Sequence, residues 1–145
     1  MKLHKEIING VIIFIAISIY FLLMELLGLT HLFYLRFLNI LFVFYGVNRT
    51  IKQNLEEGNK QFVSNAVSAM FTSVIGVVLS IIALVIYSYW QGGDAFVQSL
   101  SETFLFGGNP SIDAYSISLL FEGVASSVIV TLLLMLYWNN RFSAD

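Results

Sequence analysis

Three ionisable residues sit inside otherwise apolar stretches of this chain: Glu25, Arg36 and Glu122. A charge near the middle of a bilayer costs roughly 2.5–3.5 kcal/mol on insertion scales, and each Leu, Ile, Phe or Val returns about 0.3–0.6 kcal/mol. Such residues usually face a protein interior and find partners there. Glu25 and Arg36 flank a tight turn at Gly28-Leu29-Thr30-His31. At about 1.5 Å per residue, both lie roughly 8 Å below the end of the helical hairpin that this turn would close. Glu122 would enter from the same end, somewhat deeper. The expectation is one cluster, with Arg36 paired to Glu25 and Glu122 as a second acceptor. Each member has polar company at helical spacing: Ser18 with Glu25, Asn39 with Arg36, and Ser118 and Ser126 with Glu122.

Two chemistries fit such a cluster. A Glu–Arg pair can fix how helices assemble. Alternatively, a carboxyl beside a movable guanidinium can carry protons or bind a substrate, as a proton- or ion-coupled carrier requires. The structural pair is the plainer reading in so small a protein, because structural ion pairs also perturb proton affinities. No catalytic residues are expected. There are no cysteines, which removes disulfides, thiol catalysis and Cys-based metal sites. The two histidines, His4 and His31, fall near opposite ends of one apolar run, with no HExxH and no nucleophile–base pair. The chain therefore reads as non-enzymatic, with no metal and no cofactor.

The elements that position these residues must be membrane helices. Of 145 residues, 58% are hydrophobic and 11% charged, with a mean hydropathy of +0.84. Soluble domains carry roughly 25% charged residues, so a soluble fold of this size would lack its polar surface. A net charge of −2 gives no general reason for a nucleic-acid partner. The expected fold is all-α: one domain, a polytopic four-helix transmembrane bundle with spans over about 7–29, 32–47, 62–90 and 115–138. The first run has the basic start of a signal peptide, but it continues to Leu29 without an A-x-A-like site, so it reads as a retained signal-anchor. The second run is short and should continue as helix through Asn48-Arg49-Thr50-Ile51-Lys52. Gly58-Asn59 reads as a helix stop followed by the cap of the next helix. The polar stretch around it reads as a solvated connector.

In the third run Thr72, Gly76 and Ser80 recur every four residues, and in the fourth Gly123, Ser127 and Thr131 do the same on another side. Small-residue stripes let membrane helices approach closely, within one chain or between chains. Tyr87, Tyr89 and Trp90 form an aromatic belt, and Phe33, Tyr34 and Phe104 read as lipid anchors. Between the last two runs, Asp94–Phe106 has an apolar stripe of Phe96, Leu100 and Phe104 and reads as a short amphipathic outer-loop helix. Gly107-Gly108-Asn109-Pro110 should end it, with Pro110 in the first turn of the next helix.

Outside the runs, the basic residues are Lys2, Lys5, Arg49, Lys52, Lys60 and Arg141, all on the side shared by both termini and the middle connector. The positive-inside rule then places both termini in the cytoplasm. This layout resembles small four-span bacterial membrane proteins of the family called domain of unknown function 4199. The resemblance covers nearly the whole chain and implies a bacterial inner-membrane protein with no assigned activity. The function expected first is an accessory or scaffold subunit, with the lipid bilayer and a homo-oligomer or larger membrane complex as partners. A small proton- or ion-coupled transporter is the alternative, and an intramembrane enzyme has the least support.

Overall fold

A computed structural model describes residues 3–100 and 109–143. Among these, the regular structure is helical: α1 (Leu3–Leu26), α2 (Phe33–Arg36), α3 (Asn39–Glu56), α4 (Phe62–Trp90), α5 (Asp94–Leu100) and α6 (Ile112–Tyr137), with a closing 3-10 turn at Asn139–Arg141. Three of these helices, α1, α4 and α6, are long and apolar enough to cross a membrane.

The second expected span, 32–47, is corrected. Helix α2 ends at Arg36 and α3 begins at Asn39. The chain stays right-handed at Phe37 and Leu38, but tightens there to i→i+3 bonds: Leu38 N–H to Leu35 O (3.2 Å), Ile40 N–H to Phe37 O (3.1 Å) and Leu41 N–H to Leu38 O (3.0 Å). Beyond it, α3 soon becomes polar, with Asn48, Arg49, Lys52, Gln53, Asn54 and Glu56. Its apolar stretch, Ile40 to Val47, rises only about 12 Å, well short of a hydrocarbon core of about 30 Å.

Glycines close α1 and α3 as the sequence suggests. Gly28 (φ 67°) and Gly58 (φ 86°) take left-handed conformations. In each case the next N–H reaches back to the helix, Leu29 to Met24 O (2.8 Å) and Asn59 to Asn54 O (2.9 Å). Asn59 does not cap α4 directly. Gln61 holds the cap position, while the Asn59 side chain accepts from Gln61 N–H and donates to Ser64 Oγ. Nor does Pro110 open the last helix. Ser111 caps α6 by accepting from Ala114 N–H, and Asp94 of α5 accepts from Ile112 N–H at 2.9 Å. The expected outer-loop helix is present as α5 over Asp94–Leu100; Phe104 and Gly107-Gly108 lie outside the described residues.

Helices α1 and α4 run parallel, since Glu6 meets Ser68 and Glu25 meets Tyr87 at the same offset of 62 residues. Helix α3 is antiparallel to α1, because Asn9 meets Thr50 while Tyr20 Oη donates to Leu35 O. Helix α6 runs back along α4, as Gly123 abuts Val77 and Ser143 bonds Lys60 O. One end therefore gathers the start of α1, the Gly58 connector and Ser143 (the connector end). The other gathers the Gly28 turn and α5 (the turn end). Between them Ile13, Val43, Val47, Ile51, Ala69, Val130, Leu134 and Met135 form the core.

The Thr72–Gly76–Ser80 stripe serves contacts within the chain. A Cβ on Gly76 would fall 2.6 Å from Ile13 Cγ2 and 3.1 Å from Gly10 O; one on Gly10 would fall 2.6 Å from Ile75 Cγ2. A Cβ on Gly46 would also overlap Ile13, so this fully buried side chain is clasped by glycines of α3 and α4. The second stripe works likewise. Gly123 receives Val77, while Ser127 and Thr131 are buried below it.

Candidate functional site

Arg36 is the last residue of α2, next to the tightened turn, and its side chain points toward α6. Its guanidinium forms an ion pair with Glu122 (Nη2 to Oε2, 3.2 Å) and donates through Nη1 to Tyr115 Oη at 3.1 Å. Tyr115 is one turn inside the α6 N-terminus and 5% exposed; Arg36 and Glu122 each leave about a quarter of their side chains exposed (24% and 23%). A pair this far buried is held in a medium of low polarity, where removing one partner strands the other charge.

The expected pairing of Arg36 with Glu25 does not occur. Glu25 instead accepts from Tyr87 Oη of α4 at 2.5 Å, and Tyr87 in turn accepts from Gln91 Nε2 at 3.0 Å. The reason is rotational. Helix α1 lies beside α4 in parallel, so the face that carries Glu25 turns toward α4 rather than across the hairpin to Arg36. The depth argument placed both acids near Arg36, and the packing directions chose Glu122.

The Arg36–Glu122 pair forms part of the wall of a cavity of about 280 Å³ toward the turn end. The remaining wall is mainly apolar, with Ile17, Phe21, Val43, Val77, Leu84 and Leu119. Ser18, Asn39, Ser80 and Ser126 add polar groups to it, together with Tyr87 and Tyr115, and Gly123 also lines it. The expected inward faces of α1 (Ser18, Phe21) and of the second segment (Arg36, Asn39, Val43) thus open onto one space. Ser118 is half-buried and does not line it. Two polar atoms next to this space, Arg36 Nε and Asn39 Oδ1, are buried without a hydrogen-bond partner. A mainly apolar chamber with a few convergent polar groups is the usual form of a small-molecule site. Among the described residues there is no group of three His, Cys, Asp or Glu that could hold a metal ion.

A second polar assembly, at the connector end, escaped the sequence reading. Glu6, Asn9, Thr50, Asn65, Ser68 and Thr72 are buried to 1% exposure or less where α1, α3 and α4 meet. Asn9 Nδ2 donates to Thr50 Oγ1 (2.9 Å) and Gln53 Oε1 (2.8 Å). Thr50 and Thr72 hydroxyls meet at 2.8 Å, and Thr72 donates on to Ser68 O at 2.9 Å. Ser68 Oγ donates to Glu6 Oε1. The signal was present: four residues back from Thr72 the stripe reaches Ser68, three further back lies Asn65 on the same helical face, and Glu6, Asn9 and Gly10 share one face of the first helix. Compared with protein-family models, curated proteins and solved structures, the chain shows no match in any of the three.

Proposed function

We propose that this chain is a non-enzymatic integral membrane protein whose chamber holds a largely apolar small molecule bearing a polar group. The observation that carries this reading is the Arg36–Glu122 ion pair, with Tyr115, on the wall of a cavity that is otherwise mainly apolar. An ion pair is net neutral, so an uncharged or zwitterionic polar group can lie against it without leaving a net charge in a low-dielectric space. Four crossings belong to the same reading, with α2, the tightened turn and α3 acting together as the fourth. That segment spans Phe33 to Glu56, roughly 36 Å at helical rise. Its polar half ends beside Lys5, Lys60 and Ser143, and the clustering of basic residues at that end supports a cytoplasmic side for both termini, in a bacterial inner membrane, under the positive-inside rule. The layout resemblance to the domain of unknown function 4199 family is in keeping with this.

One observation favours a carrier over a static receptor. The 3-10 turn at Phe37-Leu38 lies between Arg36 and Asn39, both on the chamber wall, and such mid-helix tightening often marks a hinge. The packing stripe is used inside the chain, so it offers no argument for a second copy. Native mass spectrometry of gently solubilised protein tests the proposal. Wild type should carry a small lipid-like adduct, and Ser126→Trp, which fills the chamber, should lose it while staying helical by circular dichroism. An adduct retained in the variant, or none in wild type, contradicts the chamber. A stoichiometric protein partner in the same preparation, without an adduct, would favour the accessory-subunit reading.

A further inference from the structure

Toward the connector end, α3 and α6 leave a shallow groove between them, lined by Phe44, Tyr45, Asn48, Leu134 and Tyr137. Leu134 belongs to the core and Phe44 packs against it, so the two give the groove an apolar floor. Tyr45 and Tyr137 are its exposed members. The groove lies at the last turn of α6, a helix long and apolar enough to cross a membrane. Tyr and Trp side chains at such an end lie at the level of lipid headgroups.

The polar groups presented there are donors. Trp138 Nε1–H donates to Asn48 Oδ1 at 2.8 Å. An indole nitrogen can only donate, so this bond fixes the amide with its oxygen toward Trp138. Asn48 Nδ2 bonds no group among the described residues and is not shut in, which leaves its N–H donors open at the groove. Arg49 is the next residue and is exposed. It follows Tyr45 by one helical turn, and long helical side chains lean back over the preceding turn, which here carries the groove. Among the described residues no ion pair holds Arg49, and no acid lies three or four places from it on α3. Its basic neighbours are engaged, Lys52 with Glu56 (3.9 Å) and Lys5 with Glu57 (2.6 Å).

We propose that this groove binds an anionic phospholipid, with an acyl chain over Phe44 and Leu134 and the phosphate against Arg49 and the Asn48 amide. A rim rich in donors and free of acids is complementary to a headgroup that carries negative charge and accepts hydrogen bonds. The guanidinium fork suits a phosphate in particular. Basic pockets between membrane helices are a recurring form of such headgroup sites. A zwitterionic headgroup brings a cation that Arg49 repels, so net charge should decide the preference. The site needs α6 to cross the bilayer and makes no use of the chamber.

The test is quenching of Trp138 fluorescence by lipids brominated in the acyl chain. Trp138 is bonded to Asn48 of the groove, whereas the other tryptophan, Trp90, is exposed at the turn end. Trp90→Phe therefore leaves Trp138 as the reporter. The purified full chain in mixed micelles is titrated with brominated phosphatidylglycerol or with brominated phosphatidylcholine of the same chains. Phosphatidylglycerol should quench saturably, at a mole fraction about fivefold lower, the factor expected from one basic residue beside an anionic headgroup. Arg49→Gln changes an exposed, unpaired side chain, so it should keep the emission maximum and lose the preference. Lys60→Gln removes a charge from the same end outside the groove and should keep the preference. Equal quenching by the two lipids would overturn the site. So would a preference that survives Arg49→Gln, or one that Lys60→Gln reduces as much, since diffuse attraction to the basic end would then explain it. Absence of quenching by either lipid would overturn the site together with the membrane crossing of α6.

Discussion

At the residue scale, the structure turns on which acid Arg36 meets. Both candidates were legible as intramembrane charges, and their depth was legible from the distance to the turn. Their direction around the helix was not, because it depends on which neighbours each helix has. Glu25 faces α4 and bonds Tyr87, whereas Glu122 faces Arg36. Tyr115 and Tyr87, the phenols that complete the two contacts, gave no sequence signal beyond their position near helix ends. The pairing makes a direct prediction. Arg36→Leu and Glu122→Leu should each destabilise the protein in detergent by about 1–3 kcal/mol, discounted from fully buried pairs for the quarter of each side chain left exposed. The double variant should recover about 0.5–2 kcal/mol of the summed loss. The same cycle with Glu25→Leu should be additive with Arg36→Leu. Coupling to Glu25 and not to Glu122 in these thermal melts would reverse the assignment.

At the element scale, small residues were the most informative part of the sequence. The Thr72–Gly76–Ser80 and Gly123–Ser127–Thr131 stripes are both at helix contacts, because only a missing side chain lets two backbones come so close. The stripes did not reveal that α1 answers with its own glycine, Gly10, or that Ile13 is the knob between Gly46 and Gly76. Gly76→Leu should therefore force α1 and α4 apart and cost about 1–3 kcal/mol or more, measured as a lower midpoint of thermal unfolding. A variant as heat-resistant as wild type would show that the contact does not bear on stability. The break at Phe37-Leu38 was not legible. That stretch contains neither Gly nor Pro, and its apolar composition reads as uninterrupted helix.

At the scale of the whole molecule, three helices are long and apolar enough to cross a membrane, and the proposed fourth crossing needs α2, the tightened turn and α3 in combination. The shortfall has a cause. Of the polar residues of α3, Thr50 and Gln53 bond inward to Asn9 and Asn54 is buried, whereas the charged Arg49, Lys52 and Glu56 are exposed. Polar groups satisfied inside a protein can lie near a membrane without facing it. The alternating helix directions agree with this, because α1 and α4 run one way and α3 and α6 the other. The reading proposed for the chamber rests on four crossings. Single cysteines at His31, Glu56, Ser99 and Ser143 test them directly in intact cells, since the wild type contains no cysteine to react. An impermeant thiol reagent should label His31→Cys and Ser99→Cys and spare Glu56→Cys and Ser143→Cys. Labelling of His31→Cys and Glu56→Cys alike, or of neither, would place both ends of the α2–α3 segment on one side and contradict the fourth crossing.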